Sequence, residues 1–434
     1  MNEESFSKIF TRKLNSAAVK TAKAEEKMLE DEQYVPPPGH ISILKCKFND
    51  GGAGEAFIMT LGGGRMQESR TWKHASELFC RNFHWSSQDF EVGELFRLKS
   101  FKVTTTKGRT STGSVTPSLF GATFVDLEPQ DSSSFHLLVA FGDDVDRFCS
   151  NNSLLEVKGS VGDKIEADVT KWLPEKIVYR EFQIPEYSSD GSELIQKGDV
   201  PIARSGAQLG ILKKLDQNSS FLILCTGGVC NPSPGPIKYL PTDSNIFLLR
   251  YPDMVWTKLP SQDLLMRSHH SMYISNSTVY IVGGYSWSDN KVKKLFPVTE
   301  FTRITFDDFQ VQMIDVIKLA VTPAVPNFSP FISGFALAGL GSTFFMFGGI
   351  AFPKYDPDKE NLHCYLPPET PRNKLPDPAS QLLKVDLEKK SLTIISGPKD
   401  CASHMGSMEI LNTLEPEPLI LMTCDPHLYI YKPV

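Results

Sequence analysis

The sequence predicts an all-β fold: a six-bladed β-propeller over residues 40–434, preceded by a short polar, partly helical extension over 1–39. Three observations predict it. From about residue 40 onward, short apolar, β-branched and aromatic runs are punctuated by glycine, with little sustained helical periodicity. A unit recurs along this stretch: a small or polar strand start, a loop, an apolar strand ending in glycine, and a further alternating strand, the mark of radial or stacked modules. A chain of 434 residues with 41% hydrophobic content can also fill a large core.

The clearest unit runs from Arg267, Ser268, His269, His270 and Ser271 through Val279–Val282 to Gly283, Gly284 and Tyr285. A second has Arg204, Ser205 and Gly206, then Phe221–Leu224, Gly227 and Gly228, followed by Ile246–Leu249 and Trp256. A third has Ser333, Gly334 and Phe335, then Phe344–Phe347, Gly348 and Gly349, with Leu382–Leu387 as its outer strand. Weaker copies lie around Phe57–Gly64, around Phe120–Asp143, where Phe141-Gly142-Asp143 replaces the diglycine, and around Met405–Tyr431, which makes six. The intervals exceed the roughly 50 residues of a compact kelch unit, so several blades carry large loops. A diglycine ending an inner strand lets the backbone take unusual dihedrals close to the axis, where a Cβ would clash. An Arg or His at a strand start is placed to bond backbone carbonyls of the neighbouring blade, which is a structural role. The last blade lacks a strand that either the segment near Glu26–Val35 or Ile41–Phe48 can supply.

In the extension, Phe6, Ile9, Phe10, Leu14 and Ala17 follow the spacing of one helical face, with Lys8, Arg12, Lys13, Lys20 and Lys23 around it. It reads either as a partner-binding helix or as a frayed tail. The acidic stretch Glu25–Glu32 and the stiff Pro36-Pro37-Pro38 then lead into the first strand. Glu3 and Glu4 without an apolar core argue against a secretory signal. Leu319–Pro353 carries no charge, but its prolines and glycines break a membrane helix and fit two buried strands with a turn. No membrane contact is expected.

The formal net charge of −6 excludes a strongly basic protein that grips nucleic acid over its whole surface, so any such contact is a local patch. The eight cysteines are dispersed without a CxxC pair, which fits reduced, mostly buried thiols in an intracellular protein rather than a zinc finger or disulfide framework. His269 and His270 have no third ligand at metal spacing, and Asp143, Asp144 and Asp146 follow a blade glycine as turn residues do. No catalytic residue, metal ligand or cofactor is assigned to this chain.

The string Gly198-Asp199-Val200-Pro201, then Ala203, Arg204 and Gly206, resembles the kelch propeller of the non-catalytic subunit of the V(D)J (RAG) recombinase and its transposon-encoded relatives in invertebrates. Gly54–Met59 as the opening strand of the first blade, Ser275–Gly284 in the fourth and the closing Leu428–Tyr431 point the same way. The resemblance spans about residues 40–434 and is weak outside the two central blades. Ala207 departs from it, standing where the family often has His, and no Cys/His cluster follows the propeller to build the family's histone-reading zinc finger.

The resemblance implies an accessory subunit. A separate catalytic RAG-like transposase subunit would hold divalent metal, Mg, on three carboxylates and perform nicking and strand transfer. This chain would dock on it, help seat DNA (terminal inverted repeats or recombination signals), and work in the nucleus as part of a hetero-oligomer with two copies of each subunit. The expected DNA-binding residues are Arg97, Lys99, Lys102, Lys107 and Arg109, interleaved with Phe96 and Phe101, and, as a second loop, Lys291, Lys293 and Lys294. Phosphate contacts by such residues are sequence-independent and salt-sensitive. The bland reading of both segments is a solvated charged surface. The alternative function is a kelch-propeller protein-interaction adaptor, such as a ubiquitin-ligase substrate receptor or cytoskeletal scaffold.

Overall fold

The computed structural model describes Phe6–Lys8 and most of residues 40–431; the larger stretches it leaves out are 9–39, 185–194, 323–332, 351–380 and 397–407. All of its described elements are strands, and twenty-four of them form six four-stranded antiparallel blades.

Blade 1 comprises His40–Phe48, Gly54–Gly62, Leu78–Trp85 and Phe90–Leu98, from the innermost strand outward. Blade 2 comprises Thr123–Asp126, Ser134–Ala140, Leu154–Val161 and Ile165–Pro174, and blade 3 Gln208–Lys214, Phe221–Thr226, Ile246–Tyr251 and Val255–Leu259. Blade 4 has Ser271–Ser275, Thr278–Val282, Phe301–Asp307 and Gln310–Ile317, and blade 5 Ser333–Leu340, Thr343–Ile350, Gln381–Asp386 and Ser391–Ser396. Blade 6 has Met408–Leu411, Leu419–Cys424 and His427–Tyr431, and its outer strand is Phe6–Lys8. The inner strands of blades 2 to 6 follow one another side by side, and Met408–Leu411 meets His40–Phe48 to close the ring.

Closure is where the structure departs from the sequence reading. The fourth strand of blade 6 is Phe6–Lys8, with Phe6 opposite Tyr431 and Lys8 opposite Tyr429, whereas Ile41–Phe48 belongs to blade 1 and Glu26–Val35 lies outside the described residues. The helical spacing that begins at Phe6 therefore starts in a strand, and the rest of that expected helix lies outside the described residues. An edge strand with open backbone donors and acceptors takes a partner strand whatever the partner's side-chain period. Likewise Gly54–Met59 is not the opening strand of blade 1: His40–Phe48 lies inside it, with Ile43 opposite Met59.

The blades are held by apolar faces that each bury against the next. Five clusters sit between consecutive blades from 1 to 6: Ile41, Met59 and Leu78 against Leu137 and Val157; Leu138 and Leu154 against Ile223 and Leu249; Leu224 and Leu248 against Ile281 and Ile304; Val282 and Phe301 against Phe344 and Leu392; Phe347 and Ile395 against Met408 and Ile420. Each large side chain so buried contributes about 1.5–3 kcal/mol. Crowding rises toward the axis: a Cβ on Gly339, in the inner strand of blade 5, would lie 2.4 Å from the Tyr273 ring on the inner strand of blade 4. The uncharged stretch forms the expected strand pair, Ser333–Leu340 and Thr343–Ile350, turning at Gly341. Among the described residues no helix is long and apolar enough to cross a membrane.

Blades 1 and 2 are also joined by a buried lysine. The Nζ of Lys45, whose side chain is 2% exposed, donates to the carbonyls of Glu128 (2.7 Å) and Ser134 (2.6 Å) and lies 3.0 Å from an Asp126 carboxylate oxygen. Three oxygens from blade 2 thus satisfy an ammonium rooted in blade 1, which makes its burial tolerable.

If Phe6–Lys8 closes the ring, deleting residues 1–8 lowers the thermal midpoint by about 2–5 °C and opens the strands of blade 6 to proteolysis first. An unchanged midpoint and an unchanged cleavage pattern would show that the pairing contributes nothing to closure.

Candidate nucleic-acid interface

The expected basic segment leaves blade 1 on its outer strand and arrives on the outside of blade 2. Phe101–Thr104 and Thr110–Gly113 form a hairpin, and the first of these strands lies parallel to the outer strand of blade 2, Lys102 opposite Asp168 and Thr104 opposite Thr170. The backbone of the hairpin is therefore an added strand on a rigid sheet.

The structure separates the basic residues by what already holds them. Arg97 is engaged: its guanidinium donates to both carboxylate oxygens of Glu77 at 2.6–3.1 Å and lies 5.4 Å from the centre of the Phe79 ring. A forked pair of this kind is worth more to the sheet than a single contact, so Arg97 reaches a phosphate only by leaving Glu77. Lys102 is loosely placed: its Nζ stands 3.9 Å from Asp168, and both side chains are more than half exposed. Such a pair adds little to stability and exchanges readily for another anion. Lys99, Lys107 and Arg109 lie outside the described residues, the last two in the segment that joins the hairpin strands. Lys291 and Lys293 also lie outside them; Lys294 begins the strand Lys294–Pro297, opposite Ser288.

The sheet edge that carries the hairpin is fixed from beneath by a network the sequence did not disclose. Trp172, on that outer strand, points its Nε1 at Glu156 Oε2 (3.4 Å), and Glu156 also accepts from the Tyr251 hydroxyl (2.6 Å), the Lys158 ammonium (2.7 Å) and His136 Nε2 (2.9 Å). Tyr251 belongs to blade 3, so the carboxylate ties two blades together. Burial works to raise the Glu156 pKa, but the hydrogen bonds from His136, Lys158 and Tyr251 and the Lys158 charge outweigh it and hold the carboxyl down at about 2. Burial, and then the same carboxylate, push the Tyr251 phenol up, so it stays a donor. His, Glu and Tyr could serve acid–base chemistry elsewhere; here their polar atoms are spent on one another between the blades.

The string that carries the family resemblance builds the joint between blades 2, 3 and 4. Gly198 ends a short strand, Ile195–Gly198, that lies parallel to the outer strands of both blade 2 and blade 3. Asp199 N donates to Trp256 O (3.0 Å), and the Pro201 carbonyl accepts from Asn152 Nδ2 (3.2 Å). Arg204 is fully buried; Nη1 donates to Gly227 O (2.8 Å) and Nε to Ile202 O (3.0 Å), with the guanidinium 5.0 Å from the Phe247 ring centre and 5.8 Å from that of Phe141.

The expected reach into the neighbouring blade is thus divided. The Arg204 guanidinium bonds Gly227 and Ile202 and lies over the Phe141 ring of blade 2, and its backbone also crosses to blade 2, accepting from Gly142 N (2.8 Å) and donating to Asn151 O (3.1 Å). His270 does cross by its side chain, with Nε2 2.9 Å from Thr226 Oγ1 of blade 3. Burial, then the Arg267 charge, lowers the His270 pKa well below its ordinary value, so the ring is neutral. Ala207, where the family often has His, is buried in the apolar cluster between blades 2 and 3.

Phe141-Gly142 takes the place of a diglycine faithfully. Phe141 has φ +65° and Gly142 φ +96°, against +68° and +105° at Gly227 and Gly228. A phenylalanine in the left-handed region is strained, and its ring is held there by Arg204 and by Trp256, 6.1 Å away. Asp143 accepts from Ser150 Oγ (2.7 Å) across a two-residue strand pair, a structural use of the carboxylate. Among the described residues no three His, Cys, Asp or Glu side chains are grouped to hold a metal ion.

No protein-family model matches the chain, and no curated protein does. Solved structures similar in fold include YjhT (10% identity, TM-score 0.37, covering 69% of this chain and 71% of that one). They also include the α-L-arabinofuranosidase of Lactobacillus brevis (9%, 0.35, 72% and 89%) and a variant of the Synechocystis apocarotenoid oxygenase (9%, 0.36, 94% and 96%). At these identities and scores, none of them bears on the chemistry of this chain.

Glu156→Gln removes a charge that three neighbours stabilise. Since the folded carboxyl is depressed to about 2 from an ordinary 4.5, its contribution is present above pH 4.5 and is lost as pH falls from there toward 2. The variant should be less stable than the parent by about 1–3 kcal/mol at pH 7, and the gap should narrow below pH 4.5. Chemical denaturation across that range measures it; a gap independent of pH would mean that the charge is not what the network holds.

Proposed function

We propose that the chain is a non-catalytic subunit of a RAG-like DNA transposase or recombinase. In this reading the propeller docks on the metal-dependent catalytic subunit and presents the hairpin on blade 2 to the DNA backbone beside the cleavage site. The observation that carries it is the placement of the basic segment. Its hairpin stands as an added strand on a sheet edge pinned by Trp172 and Glu156, with Lys102 held only by a long, exposed ion pair.

A pinned edge with loosely paired lysine suits phosphate positioning: the backbone is set in advance, and the ammonium can exchange one anion for another at little cost. The net charge of −6 fits a subunit that adds a local grip to a complex rather than one that holds DNA alone. The Gly198–Gly206 string carries the family resemblance as a sequence, and in the fold it is occupied in the joint between blades. The nucleus as the site of action, Mg in the partner and two copies of each subunit belong to the same proposal.

The test uses the complex purified through a tag on this chain, with DNA binding followed over a salt series. Lys102→Glu combined with Lys107→Glu and Arg109→Glu should weaken DNA binding and make the salt slope shallower by about one unit per lost phosphate contact, with the thermal midpoint unchanged. Arg97→Ala serves as the contrast, lowering stability by roughly 1 kcal/mol through the lost Glu77 fork. Unchanged affinity and slope in the triple variant would remove the hairpin from the DNA interface.

A further inference from the structure

The outer edges of the blades are not alike. Blade 2 carries Phe101–Thr104 and the start of Ile195–Gly198, blade 3 the end of Ile195–Gly198, blade 5 Ala320–Thr322 and blade 6 Phe6–Lys8. Blade 4 ends at Gln310–Ile317, and among the described residues no strand lies on its outer side. An edge of this kind offers unpaired backbone groups to another chain. Blade 1 also ends without an added strand among the described residues, but there the Arg97–Glu77 fork places charge along the edge, a usual guard against pairing.

Blade 4 carries a fork of its own, Arg303 on Asp315, but its outer strand also exposes apolar side chains beside that fork. Met313 and Val316, on its outer strand, are 44% and 47% exposed. Beside them a recess of about 380 Å³ opens toward blade 5, lined by Tyr280, Val316, Ile317 and Leu387 with Arg303, Asp315, Lys318 and Lys390. Its charges are unbalanced. Asp315 is taken by the Arg303 guanidinium, which donates to both its oxygens at 2.7 and 2.9 Å. Lys318 and Lys390 have no acidic partner within ion-pair distance among the described residues. Both are exposed, and their stretches of backbone are tied by the bond from Ala320 N to Lys390 O (2.8 Å). The site thus joins an open strand edge, an apolar floor and two uncompensated ammonium groups.

From this we infer that the outer edge of blade 4 binds an extended acidic segment of a partner protein by strand addition. The partner's backbone pairs with Gln310–Ile317, its alternate apolar side chains lie on Met313 and Leu387, which share the face toward blade 5, and its carboxylates meet Lys318 and Lys390. Strand addition draws affinity from main-chain hydrogen bonds and specificity from alternate side chains, which is what this edge supplies. A duplex would use the lysines but neither the apolar floor nor the backbone edge. The site lies two blades away from the hairpin of blade 2 and does not depend on the DNA-binding reading.

The test uses the whole chain and a fluorescent heptapeptide of alternating aspartate and valine, with alternating lysine and valine as its counterpart. The acidic peptide should bind saturably, slow amide hydrogen exchange along Gln310–Ile317 and bind at least about tenfold more weakly to Lys318→Glu/Lys390→Glu. Met313→Asn should weaken binding without changing the thermal midpoint of the protein, since the residue is 44% exposed. Equal binding of the basic peptide, no saturation at millimolar peptide, or protection from exchange elsewhere would overturn the inference. So would displacement of the peptide by a DNA duplex acting through the same two lysines, or pairing of two copies of the chain through this strand.

Discussion

The structure depends on one constraint: a ring of sheets buries its apolar faces only when it is closed. Each blade covers the next, and the last is completed by Phe6–Lys8 laid against His427–Tyr431. Without that pairing the outer backbone of blade 6 would be an open edge, and among the described residues the ends of the ring would meet through the approach of Met408–Leu411 to His40–Phe48. The polar staples serve the same constraint. Lys45 spans blades 1 and 2, Glu156 spans 2 and 3, and His270 spans 3 and 4. A frame closed in this way holds its outer edges in fixed positions, and those edges are where binding segments can be attached.

The propeller was legible because its signal is local and repeated. Diglycine after an apolar strand marks blades 3 and 4, and Phe141-Gly142 reproduces the same dihedrals with a ring clamped between Arg204 and Trp256. What escaped is long-range. Phe6–Lys8 pairs across more than 400 residues of chain, and three residues carry no periodicity that could overrule the helical spacing of Phe6, Ile9 and Phe10. His40–Phe48 has no glycine ending, so Gly54–Met59 took its place as the opening strand. Lys45 alternates with Leu44 and Cys46 and reads as a solvated position, yet it is buried because three oxygens of blade 2 wait for it. Glu156, His136 and Tyr251 converge from strands 20 and 95 residues apart, and no spacing rule brings them together.

The candidate interface was legible in part for the same reason. Five cations between Arg97 and Arg109 stand out in a chain of negative net charge, but sequence does not say which of them are already spent. The Glu77 fork takes Arg97 into the sheet and the long contact to Asp168 leaves Lys102 near solvent, so two similar charges have different uses. The Gly198–Gly206 string has a parallel lesson. Its residues are occupied in holding blades 2, 3 and 4 together, so the string attests to the geometry of the joint, and the proposed DNA role rests on the hairpin.

The measurement that most directly tests the proposed role is recovery of the tagged chain from its native cells, with mass spectrometry of the polypeptide that accompanies it in stoichiometric amount. The account predicts a large transposase-like partner bearing three carboxylates able to bind divalent metal, retained together with DNA at low salt. Recovery instead of a ubiquitin-ligase scaffold or actin, with no DNA, would contradict it and make the chain an interaction adaptor.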